Sequence, residues 1–64
     1  MPTITELTMM HECLLRTRAS RGAIATIMSR MTSLSAIARF AEGLLAAPRM
    51  SEGEMLALSA AVAL

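Results

Sequence analysis

The sequence has very few of the residue types on which catalysis and metal binding depend. Its 64 residues include one cysteine, Cys13, one histidine, His11, and no aspartate. A single cysteine excludes an intrachain disulfide, and with a single histidine there is no credible ligand set for a structural metal. A serine-histidine-aspartate arrangement is excluded in the same way. We therefore expect a non-enzymatic chain with no cofactor, no metal and no small-molecule ligand.

Two short stretches could suggest chemistry, but neither has the residues it would need. Residues 11–15, HECLL, begin like the zinc-protease motif HExxH, yet Leu15 stands where the second histidine must be. His11 and Cys13 point about 160° apart on a helix, so they cannot share a metal. The three glycines are isolated from one another, which excludes a glycine-rich phosphate loop. We interpret His11 and Cys13 as ordinary helix residues.

Aromatic and charged residues are also scarce. Phe40 is the only aromatic residue, and charged residues make up 17% of the chain against about 25% in typical domains. Hydrophobic residues reach 55%, with seven methionines. The net charge of +1 argues against a strongly basic nucleic-acid binder. Every basic residue is arginine, and we interpret the absence of lysine beside abundant alanine as a coding bias, which a GC-rich bacterial or phage source would fit.

Long apolar runs are missing as well. The charge-free run from Met55 to Leu64 has ten residues, which is about half of a bilayer span. Residues 1–12 contain Glu6 and Glu12 where a signal peptide would have its apolar segment. We expect no membrane association, and the lone thiol favours a reducing, cytoplasmic setting.

What the sequence does contain is helical periodicity. Thr3 and Glu6 form a capping box that predicts a helix start near residue 4 or 5. The apolar residues before and after the arginine-rich middle lie in phase on one stripe, which predicts one long helix over about 5–31. Gly22 lies inside this helix, where it could mark a bend or a break.

Two further helices are predicted after the first. Ser33 supplies an N-cap for a helix over about 34–47, which stops before Pro48. Ser51 and Glu54 form a second capping box, which predicts a helix over about 52–63. This last helix is apolar nearly all round, and a helix without a polar face must be enclosed by protein.

These patterns predict an all-α fold: a helical hairpin or three-helix protomer in a single domain, residues 1–64. So small a chain gains only marginal stability from its own core, and it has more apolar residues than its polar surface can cover. We therefore expect an intertwined homodimeric bundle. Its shared core is predicted to consist of ten residues: Leu7, Met10, Leu14, Ile24, Met28, Ile37, Leu44, Leu45, Leu58 and Val62.

The stretch RTRASR, residues 16–21, is the least neutralised part of the chain. Arg16 has Glu12 four residues before it, but Arg18 and Arg21 have no acidic neighbour one turn away. Three interpretations stay open: a solvated helix face, a docking surface for acidic groups of another protein, and a phosphate-contacting element on DNA.

We predict a protein-binding module, such as a small adaptor, co-chaperone or inhibitor of a larger bacterial protein, that acts as a homodimer. The alternative is a small DNA-binding transcriptional regulator that uses the Arg16–Arg21 patch. The predicted partner-binding residues are Arg18, Arg21, Arg30, Met9, Met31 and Phe40.

Overall fold

The computed structural model describes residues 1–64, and it confirms the all-α class. The chain contains four helices and no strand. Their bounds are α1 Ile4–Leu15, α2 Arg21–Arg30, α3 Leu34–Ala46 and α4 Glu52–Val62. Helix α4 packs against α2 and α3 of its own chain, and α1 packs against α2.

Side chains at the helix starts explain where the helices begin. Both predicted capping boxes are confirmed: the Thr3 hydroxyl accepts from the Glu6 N–H, and the Ser51 hydroxyl accepts from the Glu54 N–H. In each box the glutamate carboxylate accepts in return from the backbone N–H of the capping residue. Ser33 caps α3 as predicted, by accepting from the Ala36 N–H. These bonds satisfy donors that a helix leaves unpaired at its first turn.

The predicted long helix over 5–31 is wrong, because the chain breaks into α1 and α2 at residues 16–20. The Thr17 hydroxyl donates to the Leu14 carbonyl at 2.7 Å and accepts from the Ala19 N–H at 3.2 Å. Ser20 then caps α2 by accepting from the Ala23 N–H. Hydroxyl side chains that bond nearby backbone groups in this way compete with continuation of a helix. Gly22 is not the break, since it lies within α2.

The core forms where the four helices converge on Phe40, which is fully buried. Among the ten predicted core residues, four are buried: Met10, Leu14, Ile24 and Val62. Five more are half-buried and pack against this cluster: Leu7, Met28, Ile37, Leu44 and Leu58. The tenth, Leu45, is 83% exposed and lies outside the chain's own core. Leu14, Ile27 and Phe40 supply the largest buried apolar side chains.

A polar network joins α2 to α4. The Arg30 guanidinium donates to the Leu56 carbonyl and to the Ser59 hydroxyl, each at 2.9 Å. Ser59 is fully buried and donates in turn to the Leu56 carbonyl at 2.7 Å. Burial of a hydroxyl is costly unless its hydrogen bonds are made, and here they are.

None of the helices could cross a bilayer, because each is too short and the apolar stretches are too limited. The longest, α3, has 13 residues.

Candidate functional site

Helix α3 carries an apolar stripe that the fold leaves largely exposed. Phe40 and Ala36 face the core, but Leu34 is 51% exposed and Leu45 is 83% exposed. The stripe, called here the α3 stripe, consists of Leu34, Ala38, Ala41 and Leu45. Its spacing of four, three and four residues places its members on one side of the helix. Ala38 is exposed and Ala41 is half-buried.

The α3 stripe contains no charged residue along its length. Arg39 and Glu42 project from other sides of α3, about 130° and 70° from the stripe's axis at 100° per residue. Isolated exposed apolar residues are normal on proteins, but a continuous row of them is typical of an interaction surface.

A second feature is a cavity between two of the three inter-helix connections, residues 16–20 and 47–51. It has a volume of about 610 Å³. Three exposed arginines line it, Arg16, Arg18 and Arg49, and its apolar lining includes Leu44, Met50 and Met55. We call it the arginine cavity.

One long-range hydrogen bond at the arginine cavity joins the connection between α1 and α2 to the first residue of α4. The Ser20 N–H donates to Oε2 of Glu52 at 2.7 Å. Glu52 is the only acidic residue in the lining, so the lining carries three positive charges and one negative charge. None of the three arginines is among the side chains that donate hydrogen bonds within the chain, whereas Arg30 is.

A third feature is a shallow groove between α1 and α2, with a volume of about 190 Å³. His11 and Leu15 line it from α1, and Arg21, Ile24, Ala25 and Met28 line it from α2. The predicted Arg16–Arg21 patch is therefore divided, because Arg16 and Arg18 line the arginine cavity while Arg21 lines this groove.

The predicted partner-binding residues fall into two groups. Arg18, Arg21 and Met9 are exposed, and Met9 is 62% exposed. Met31 and Phe40 are buried in the core, because packing around the helix junctions takes both side chains out of solvent, so neither is presented at the surface of the chain. Arg30 is half-buried and engaged with α4, so its guanidinium is already occupied.

Sequence reasoning missed two of the arrangements described above. Arg49 joins Arg16 and Arg18 only because the fold brings the two connections together, and Ser20 bonds Glu52 across 32 residues of sequence. No local pattern signals either contact. The one relevant local signal is Pro48, which ends α3 and thereby sets where the connection between α3 and α4 begins.

Hydrogen bonding lowers the pKa of the two capping carboxyls. The Thr3 N–H, then the Thr3 hydroxyl, lower the pKa of Glu6 from its ordinary value. The Ser51 N–H, then the Ser51 hydroxyl, lower the pKa of Glu54 in the same way. Both shifts belong to helix caps, where donors favour the charged form of the carboxyl. They do not mark a catalytic acid or base.

The chain is thus a four-helix all-α protein with one largely exposed apolar stripe and one cavity lined by three arginines. No family model matches the chain, and no curated protein and no solved structure matches it.

Proposed function

We propose that this chain is a non-enzymatic protein-binding module that works as a homodimer in the cytoplasm, with two copies joined through the α3 stripe. The observation that carries the proposal is the largely exposed stripe itself. Its two end leucines and Ala38 are exposed, and only Ala41 is half-buried against the chain's own core.

The total solvent-accessible surface of the chain supports association of two copies. The chain exposes 4372 Å², whereas a compact monomer of 6.8 kDa exposes about 3,950 Å². The excess of about 400 Å² is roughly half of what one partner buries in a standard interface. Pairing two copies through an apolar surface reduces this excess.

The spacing of the stripe favours a second copy as the occupant. Leu34 and Leu45 are centred on the point between residues 39 and 40, and so are Ala38 and Ala41. A two-fold axis through that point, with the helices antiparallel, sets Leu34 against Leu45 of the partner subunit. It also sets the two alanines against each other, which allows the helix axes to approach closely. Such an interface is isologous, and the stripe itself contributes no charged residue to it.

Sedimentation equilibrium tests the proposal through a matched pair of variants. At a chain concentration of about 100 µM, the wild-type protein is expected to sediment as a dimer with twice the mass of the 6.8 kDa chain. Leu45→Glu places a charge in the stripe and is expected to give a monomer with unchanged helicity. Leu15→Glu alters another exposed leucine, on α1, which is 59% exposed against 83% for Leu45, and is expected to leave the dimer intact.

Two results would refute this function. One is a wild-type chain that stays monomeric at that concentration. The other is dissociation of both variants to the same degree, which would show that any added charge disrupts the assembly and that the α3 stripe has no special role. Circular dichroism of each variant separates loss of association from loss of folding.

A further inference from the structure

We propose that the arginine cavity binds an acidic segment of a partner protein, with carboxylates on Arg16, Arg18 and Arg49 and an aliphatic side chain on the apolar residues between them. The proposal names a surface outside the α3 stripe. It extends the protein-binding function to a heterologous partner, and it does not depend on dimerisation, because one chain forms the whole cavity.

The charge of the cavity argues for an anionic ligand. Arginines from two separate connections line one concavity, and the sole carboxylate there, Glu52, already accepts the Ser20 N–H at 2.7 Å. A planar guanidinium matches a carboxylate in two parallel hydrogen bonds, so three of them fit a ligand with several carboxylates.

The apolar lining argues for a peptide in preference to a bare anion. Leu44 and Met50 are half-buried and Met55 is buried beneath them, so the cavity presents aliphatic and thioether surface beside the cations. Methionine side chains adapt to ligands of irregular shape. The volume of about 610 Å³ is within the range of ligand cavities and holds a few side chains.

Nucleic acid fits this cavity less well than an acidic peptide does. A duplex is recognised by a basic stripe that follows the backbone, and single strands are bound by exposed aromatic side chains. The one aromatic residue, Phe40, is fully buried. Arg21, which would extend the basic surface, lines the groove on another side of α1 and α2.

The test measures fluorescence anisotropy of a labelled peptide, Glu-Glu-Leu-Glu-Glu, at low ionic strength. Controls are the peptide with glutamine in place of glutamate and the peptide with serine in place of leucine. The wild-type chain is expected to prefer the acidic peptide over the glutamine peptide by about tenfold, and to lose affinity for the serine peptide. Binding is expected to weaken as salt rises, because exposed charge pairs are screened.

Protein variants identify the site. Arg16→Gln, Arg18→Gln and Arg49→Gln are each expected to weaken peptide binding by about two- to fivefold, and the triple variant by at least about tenfold. Arg39→Gln removes another exposed arginine, on α3 outside the cavity, and is expected to have no effect. All of these side chains are exposed, so the fold tolerates their replacement.

The proposal is overturned by equal binding of the acidic and glutamine peptides, by an equal loss with Arg39→Gln, or by unchanged affinity for the serine peptide. It is also overturned if inorganic phosphate or a short DNA duplex, at matched ionic strength, binds more tightly than the peptide with the same dependence on the three arginines. Sedimentation of the same variants reports separately on the α3 stripe, so failure of one proposal is not failure of the other.

Discussion

At the residue scale, Arg30 shows how a side chain expected at a binding surface can serve the fold. Two hydrogen bonds tie its guanidinium to α4, through the Leu56 carbonyl and the Ser59 hydroxyl. Hydrogen bonds from a charged donor are stronger than neutral ones, and an arginine stem also packs along apolar surface. The charge of Arg30 is therefore part of the junction between α2 and α4.

Replacing Arg30 is expected to weaken that junction. Arg30→Met keeps a long apolar stem but removes both bonds to α4, so the free energy of unfolding should fall by about 1–2 kcal/mol. Urea unfolding followed by circular dichroism measures the change. Arg39→Met, on the exposed side of α3, is the control and should stay within about 0.5 kcal/mol of the wild type. Equal effects of the two variants would show that the network contributes nothing.

The capping carboxyls Glu6 and Glu54 make stability depend on acid. Hydrogen bonds from the capping residues lower the pKa of each in the folded chain. A carboxyl with a lowered folded pKa contributes stability that is present above its unfolded pKa, and that contribution is lost as the pH falls through the folded value.

We therefore expect the urea midpoint of the wild type to fall as the pH drops below the ordinary carboxyl pKa of 4.5 and on through the lowered folded values. The double variant Glu6→Gln/Glu54→Gln should show a shallower fall, because glutamine keeps a capping acceptor but does not titrate. Glu42→Gln, which lies on α3 away from any cap, should keep the wild-type slope. If the double variant kept the full slope, another carboxyl would have to be the source.

At the element scale, glycines in two helices differ in what surrounds them. All glycines in the chain have ordinary negative φ values, so alanine can adopt the same backbone conformation. A methyl group on Gly22 in α2 would meet nothing within 4 Å. A methyl group on Gly43 in α3 would overlap Leu58 Cδ2, because α3 and α4 approach closely there.

Gly22→Ala is therefore expected to raise the free energy of unfolding by about 0.4–1 kcal/mol, through the lower entropy of the unfolded chain. Gly43→Ala gains the same entropic benefit, but Leu58 must move to make room, so its net effect should be smaller or unfavourable. Thermal unfolding of the two variants side by side measures the difference. Equal gains would mean that α3 and α4 are not held at close range.

The helices also show which features were predictable from sequence. Local signals located α3 and α4: Ser33, Pro48 and the box formed by Ser51 and Glu54 all act over a few residues. The break between α1 and α2 was missed because the apolar periodicity runs through it in phase. Ser20 is stabilised as a cap partly by Glu52, which is distant in sequence.

At the scale of the whole molecule, composition predicted an excess of apolar surface but not its location. Leu45 was predicted to lie in a shared core, and it is the most exposed leucine inside a helix. Helical periodicity cannot show which part of a broad apolar face is buried within the same chain, because that depends on how α4 and α2 pack. The arginine cavity was beyond prediction for the same reason, because Arg49 reaches Arg16 and Arg18 only through the tertiary fold.

The proposed function depends on the pairing of two copies through the α3 stripe. A filtered nuclear Overhauser experiment on a mixture of isotope-labelled and unlabelled chains tests this pairing directly. Antiparallel pairing through the α3 stripe predicts intermolecular contacts between the methyl groups of Leu34 and those of Leu45 of the partner subunit. A wild-type sample that gives no intermolecular contacts from the α3 stripe at millimolar concentration would contradict it.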